Sequence, residues 1–370
     1  MNNKELIHLN NAGQSPVTEQ AQQAIAELLS VMRTQGAHCG SEIFEPYNRA
    51  RETFAKLVNC KTEHLVFMQT CASAISQVAL GLTYKPGEKI IITDQEYASN
   101  AYPWYMAAKR DGADVVVVKS NQDFSIPIER ILDLIDEKTR VVAFSWVQCS
   151  TGWQIDPKPI VARCKEVDAL CVVDAIQGLG IVPFDMQELG VDAVCGGNHK
   201  WLRGTLGHGF LGLQPELADK LTPLSYGAVS FGEWLELAEP NKPLKSSPDR
   251  YEPGCPHLLG AVGGAASIDL LLELGIEQLN KDAVATSEYL KGELHSRGCY
   301  VYPAPELSVR GVRWSSPITS FKPSGDLKSV CNSLDNAGIS YSCRFDTFIR
   351  IAPHYFNTTE EIDKVLECLE

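Results

Sequence analysis

The chain has 370 residues, 44% apolar and 21% charged, enough for two domains and for a sizeable core. Its formal net charge of −13 argues against a nucleic-acid partner, because an acidic surface repels phosphate backbones. No apolar run approaches the ~20 residues of a membrane span and no signal-peptide pattern opens the chain, so a cytoplasmic protein without membrane contact is expected.

Residues 16–58 read as helical, with Ala24, Ile25, Leu28, Leu29 and Met32 at helical spacing. Short apolar runs then alternate with helical stretches. His64–Met68, Lys89–Ile92, Asp114–Val118, Arg140–Trp146, Leu170–Val173 and Asp192–Cys195 predict strands. Between and after them, Ala74–Leu82, Asn100–Asp111, Pro127–Ile135, Pro159–Val167 and Met186–Leu189 predict helices. Strict alternation implies an α/β fold with a mostly parallel sheet, and runs without polar alternation imply strands buried on both faces. Residues 225–257 form a long irregular connection. Beyond it, Gly260–Leu274 and Ala283–Ser296 predict helices, and short strands fall near Tyr300–Tyr302, Ile318–Phe321 and Phe348–Ile351. Asn357-Thr-Thr-Glu-Glu opens a last helix. The expected division is a large domain, residues 16–258, and a small α+β domain, residues 259–370 with the N-terminal segment 1–15.

Twelve cysteines are present, and no two are spaced as CxxC. Zinc ribbons and thioredoxin-like motifs are therefore disfavoured, and no metal site is expected. In a reducing compartment the cysteines are free thiols, by default small buried hydrophobes.

Ligands of open parallel sheets bind beyond the carboxyl ends of the strands, so the residues leaving each strand carry the chemistry. Asp174 leaves Leu170–Val173. Lys200 follows the next strand behind Gly196-Gly-Asn-His, where burial would lower its pKa and suit it to a Schiff base. Small residues around Cys71 and Ala72 open a helix after His64–Met68, a natural anion site. Tyr97 brings an aromatic ring to the same rim. An acid, a lysine, an aromatic plate and an anion-binding helix start fit pyridoxal phosphate. Gly207-His-Gly-Phe-Leu-Gly212 matches G-x-G-x-x-G. It lacks the strand–helix setting of a dinucleotide site, and its glycines are expected to let backbone pass close to a cofactor.

At these residues the sequence resembles the class V aminotransferase group of fold-type I pyridoxal-phosphate enzymes, which includes cysteine desulfurases, C–S lyases and isopenicillin N epimerase. The resemblance runs from Leu9-Asn-Asn-Ala-Gly13 to Arg350-Ile-Ala-Pro-His-Tyr-Phe-Asn357, and is strongest at Asp174-Ala-Ile-Gln177 and His199-Lys200-Trp201. It implies that Lys200 holds the cofactor and shuttles protons, that Asp174 pairs with the ring nitrogen, and that Gln177 bonds the ring hydroxyl. Tyr97 would stack on the ring, and His199 with the Cys71–Ala72 turn would hold the phosphate. Arg350 would clamp the substrate carboxylate, while His38 either faces the site or simply ends a helix; Arg344, by its own position near Arg350, is read as a second substrate anchor. Cys255, in Arg250-Tyr-Glu-Pro-Gly-Cys-Pro, would reach the phosphate of a partner subunit in a homodimer.

The chain departs from the family pattern where hydroxyl or amide groups are usual. Cys71-Ala72, Gly197, Cys255 and Cys149 stand there instead, as near-isosteres or as reactive thiols. Desulfurases carry His at the Tyr97 position and a nucleophilic cysteine on a long mobile loop; Cys343 lies seven residues before Arg350, but the 11 residues between Gly338 and Arg350 are too few for that loop, although Arg344 beside Cys343 would lower its pKa. The preferred reading is β-elimination at the C–S bond of a cysteine-type amino acid. Transamination, epimerisation and a cofactor-binding protein without turnover are the alternatives.

Overall fold

The computed structural model describes residues 6–232, 236–309 and 311–369. Residues 1–5 of the expected N-terminal segment and residue 370 of the small domain lie outside the described residues. A seven-stranded sheet has the order Leu65–Met68, Gly209–Leu213, Ala193–Gly197, Leu170–Asp174, Thr139–Ser145, Lys89–Thr93, Asp114–Val118. Only Gly209–Leu213 runs against its neighbours, so the expected mostly parallel sheet is present. The G-x-G-x-x-G match supplies this antiparallel strand.

Alternate residues of each strand enter different cores, as the two-residue period requires. Ile91, Val142, Phe144 and Val173 join one face with the helices Gly40–Val58 and Pro157–Glu166. Ile90, Ile92, Val141 and Val172 join the other with Cys71–Gly81 and Tyr102–Asp111. Both faces are covered, which explains the unbroken apolar runs.

The helical stretch over 16–58 is two helices, Glu19–Gln35 and Gly40–Val58. A 3-10 turn at Gly36–Cys39 divides them, entered through Gly36 at a φ of 51°. In the first helix Leu28 is buried, but Leu29 and Met32 remain 46% and 38% exposed, so the apolar stripe is narrower than its spacing implied.

A second sheet of four antiparallel strands, Ser342–Arg344, Phe348–Ile351, Thr319–Lys322 and Tyr300–Val301, packs on the helices Ile276–Ser296, Leu327–Ala337 and Thr359–Glu367. Helix Leu258–Leu274 packs through Ala261, Ala265, Ile268 and Leu271 into the core that holds Phe54, so its contacts cross the expected boundary at 258/259. Gly264 permits this approach: a Cβ there would lie 2.9 Å from Phe54 Cζ. Among the described residues no single helix is long and apolar enough to cross a membrane.

Glu252 fastens the irregular connection to the first sheet. It accepts from both Arg51 Nη atoms at 2.6 and 2.9 Å, from Tyr47 Oη at 2.6 Å and from Phe67 N at 2.8 Å. Removing one partner of a buried ion pair strands the other without a counter-charge. Glu252→Ala is expected to lose about 3–5 kcal/mol of stability, read as a lower urea midpoint at an unchanged m-value.

Candidate active site

The carboxyl ends of the parallel strands open on one cavity of about 370 Å³, where open α/β sheets bind ligands. Its walls gather Cys71, Ala72, Tyr97, Cys149, Asp174, Gln177, His199, Lys200, Arg344 and Arg350, with Gly13, Ser99 and Ser145 beside them. These residues come from both sheets and from the N-terminal segment.

Glycines set the shape of the floor. Gly197 and Gly209 face each other across two paired strands. A Cβ on Gly209 would fall 2.4 Å from Thr70 C and 2.6 Å from Cys71 N. Glycine there lets the start of helix Cys71–Gly81 sit against the strand. Thr70 and Ser73 cap that start reciprocally, Ser73 N donating to Thr70 Oγ1 at 3.0 Å and Thr70 N to Ser73 Oγ at 2.9 Å. The N–H groups of Cys71 and Ala72 are left to face an anion.

Burial pulls the Lys200 amine below the ordinary lysine value, with Arg350 pulling the same way and Cys149, Asp174 and Cys71 opposing. Its Nζ lies 5.8 Å from the centre of the Tyr97 ring, which is 53% exposed and walls the outer side. Asp174, 5% exposed, accepts from Ile176 N at 3.0 Å and from Cys71 Sγ at 3.3 Å. Burial raises its pKa. Burial and the Asp174 charge together push the Cys71 thiol far up, making it a neutral donor and a poor nucleophile. His199 is pushed down to about 4, chiefly by burial and then by Lys200, so it is a neutral imidazole at pH 7.

Gln177 is fixed at both ends, donating to Ala12 O at 2.9 Å and accepting from Trp201 Nε1 at 3.0 Å. One amide N–H and one lone pair remain for a ligand. Arg350, 3% exposed, donates to Cys149 O at 2.5 Å and to Asn10 Oδ1 at 2.9 Å. Among the described residues its Nε has no partner, and burial pushes its pKa down to about 10.

A class V aminotransferase model matches residues 7–365. The chain belongs to the class V aminotransferase family. A probable cysteine desulfurase of Methanothermobacter thermautotrophicus is 31% identical over 338 residues, 87% of this chain and 82% of that protein. The fold matches the apo cysteine desulfurase of Thermococcus onnurineus NA1 with a TM-score of 0.87 at 22% identity, covering 98% of this chain and 93% of that one. It matches the cystine C–S lyase C-DES, in complex with its reaction product cysteine persulfide, with a TM-score of 0.87 at 21% identity, covering 99% and 97%.

Enzymes of this family work through pyridoxal phosphate, and the cavity fits it. A desolvated amine, a buried acid for a ring nitrogen, an open aromatic face and a helix start for a phosphate stand at the ends of four strands of one sheet. The family placement leaves two of the expected residues outside the cavity of a single chain. His38 is exposed in the turn at Gly36–Cys39. Cys255 is exposed in a neighbouring cleft with Phe67, Ser73, His208 and His257.

Two residues that hold the site in shape were not read from the sequence. Glu96 accepts from Thr93 Oγ1, Gln148 Nε2, Asn100 Nδ2, Ser145 N and Ser145 Oγ at 2.6–3.0 Å. Burial raises its pKa and the hydrogen bonds pull it back, so the carboxyl fixes the turn that carries Tyr97. An acid immediately before Tyr97, already assigned to the rim, was its signal. Asn10, which orients Arg350, sat in a stretch noted only for its resemblance.

The amine that attacks an aldehyde is the unprotonated one, and a lowered pKa frees it at lower pH. Pyridoxal phosphate added to the apoprotein and fixed with borohydride is expected to appear by mass spectrometry on Lys200 alone. The capture rate should level off below the ordinary lysine value of 10.5. Lys200→Ala should lose the adduct, and a rate still climbing above pH 10.5 would contradict the desolvated amine.

Proposed function

We propose that this protein cleaves the C–S bond of a cysteine-type α-amino acid by β-elimination. Bound pyridoxal phosphate would supply an electron sink that acidifies the substrate Cα. Arg350 takes the α-carboxylate in a two-pronged contact, the geometry guanidinium offers. Lys200 Nζ, whose proton affinity burial lowers, accepts the Cα proton. Asp174 keeps a positive charge on the ring nitrogen in place. Tyr97 covers the outer face, and Gln177 and His199 orient the ring and its phosphate as neutral donors.

The observation that carries elimination over transfer to a protein thiol is the setting of Cys343. It lies in the strand Ser342–Arg344, paired with Ile349 across a turn of three residues. Such a hairpin has no slack to bring a thiol to the substrate. Burial and the neighbouring Cys331 push the Cys343 thiol up to about 11, so it is protonated at neutral pH. The names of the relatives and of the C–S lyase neighbour support chemistry at a carbon–sulfur bond.

We further infer a cytoplasmic homodimer in which the large domain, 16–258, holds the cofactor and the small one, 259–370 with 1–15, closes on substrate. Tyr102, Tyr105 and Met106, one helical turn apart, stay 68%, 41% and 54% exposed, an apolar face that suits a second copy. The Cys255 cleft beside Ser73 suits the contact across subunits that the family resemblance implies.

Incubation with L-cysteine and with L-cystine is expected to release pyruvate and sulfur as sulfide or persulfide. Cys343→Ser should change the rate by less than about twofold, since the residue lies outside the site. Alanine in place of pyruvate, with sulfur retained on Cys343, would overturn elimination. A D-enantiomer or the keto acid of the intact substrate would favour epimerisation or transamination.

A further inference from the structure

The strand register turns Cys343 away from the cofactor cavity. Residues paired across an antiparallel ladder share a face, and neighbours along a strand alternate. Ser342 with Arg350 and Arg344 with Phe348 occupy the face that lines the cavity, and Cys343 with Ile349 the other. Ile349 lies in the small core with Val330 and Leu334 of helix Leu327–Ala337. Cys331 belongs to the same helix and packs against that core. Tyr341, two residues before Cys343, donates from Oη to Cys331 O at 3.0 Å and fastens the strand to this turn of the helix. The Cys331 and Cys343 thiols lie within hydrogen-bonding reach of each other.

Small solutes reach this pair, because Cys343 is exposed and Cys331 half-buried. Cys164 and Cys171 are a second neighbouring pair, but both are buried under the large sheet.

We propose that Cys331 and Cys343 form a dithiol site that reduces low-molecular-weight disulfides and becomes an internal disulfide. The Cys343 thiolate attacks one sulfur of the disulfide RS–SR, which forms Cys343–S–SR and releases RS⁻ to take up a proton. The Cys331 thiolate then attacks Cys343 Sγ, the mixed S–S bond breaks, and the second RS⁻ leaves. The two protein thiols lose two electrons and two protons, and RSSR becomes two RSH. The new bond ties helix Leu327–Ala337 to the hairpin that carries Arg344 and Arg350. The site needs neither the cofactor nor the elimination reaction.

Only the thiolate reacts, so the attack is slow at neutral pH. Burial, Cys331 and the Asp346 carboxylate hold the Cys343 thiol up to about 11, against a smaller pull from the Asp346 N–H. Arg344, its neighbour in sequence, sits on the opposite face, and the lowering expected from it is absent. On the helix side, Tyr341 and Asp335 adjoin Cys331. The attack should quicken about tenfold from pH 7.5 to pH 8.5.

The test holds the reduced, cofactor-loaded protein with bis(2-hydroxyethyl) disulfide, which has no amino group for the cofactor cavity. Remaining thiols are alkylated with iodoacetamide and the chain is digested with trypsin. Both thiols fall in one tryptic peptide, Ser329–Arg344. That peptide is expected to lose two hydrogens and take no alkyl group, while Cys164 and Cys171 stay reduced. Cys331→Ser should stop at a hydroxyethylthio adduct on Cys343, and Cys343→Ser should leave Cys331 open to alkylation. The oxidised wild type should melt roughly 2–4 °C above the reduced protein, a gain that both variants lack. An unoxidised peptide, an adduct on Cys343 that persists in the wild type, or a melting temperature no higher after oxidation overturns the proposal.

Discussion

The Lys200 amine loses proton affinity because the cavity walls take it out of water. As an ammonium it could neither attack a carbonyl nor accept a proton from carbon. The walls that desolvate it depend on backbone passing close to backbone. Gly197 and Gly209 pair across the antiparallel strand, and Gly209 touches the start of helix Cys71–Gly81. A side chain at Gly209 would push the helix start away and let water in. The charges around the amine are then set in opposition, with Asp174 and Arg350 both buried and both shifted toward their neutral forms.

The second sheet reaches this cavity because the N-terminal segment stitches it there. Leu9 N donates to Ser340 O at 3.1 Å and Asn11 N to Ala352 O at 3.2 Å, on the small side. Ser15 N donates to His199 O at 2.9 Å and Gln177 to Ala12 O at 2.9 Å, on the large side. A stretch of seven residues, Leu9–Ser15, therefore helps set the distance from Lys200 to Arg350, together with the direct bonds of Arg350 to Cys149 O and of Ser320 Oγ to Ser150 O. Asn10 belongs to the same stretch and orients the guanidinium directly.

Much of the large sheet was legible because its strands are buried on both faces and its helices are strongly periodic. The split at Gly36–Cys39 was not, since the apolar spacing runs on through a break made by backbone conformation alone. Helix Leu327–Ala337 escaped because its Ser, Asn and Asp residues are weak helix formers, and it depends on the Asp326 cap and the left-handed Gly338. The cavity's chemistry was legible at strand exits, where Asp174, Lys200 and Tyr97 stand within a few residues of an apolar run. Glu96 and Asn10 were not, because their roles follow from contacts between elements rather than from order along the chain.

Lys200 is rooted in the seven-stranded sheet, whereas Arg350 and Arg344 are rooted in the four-stranded one. A ligand gripped by both is a strut across the seam, and it adds its binding free energy to the few hydrogen bonds of Leu9–Ser15. How firmly the two layers are joined therefore varies with metabolite concentration. When the site is vacant that contribution is absent, and the seam between the layers is expected to open more readily.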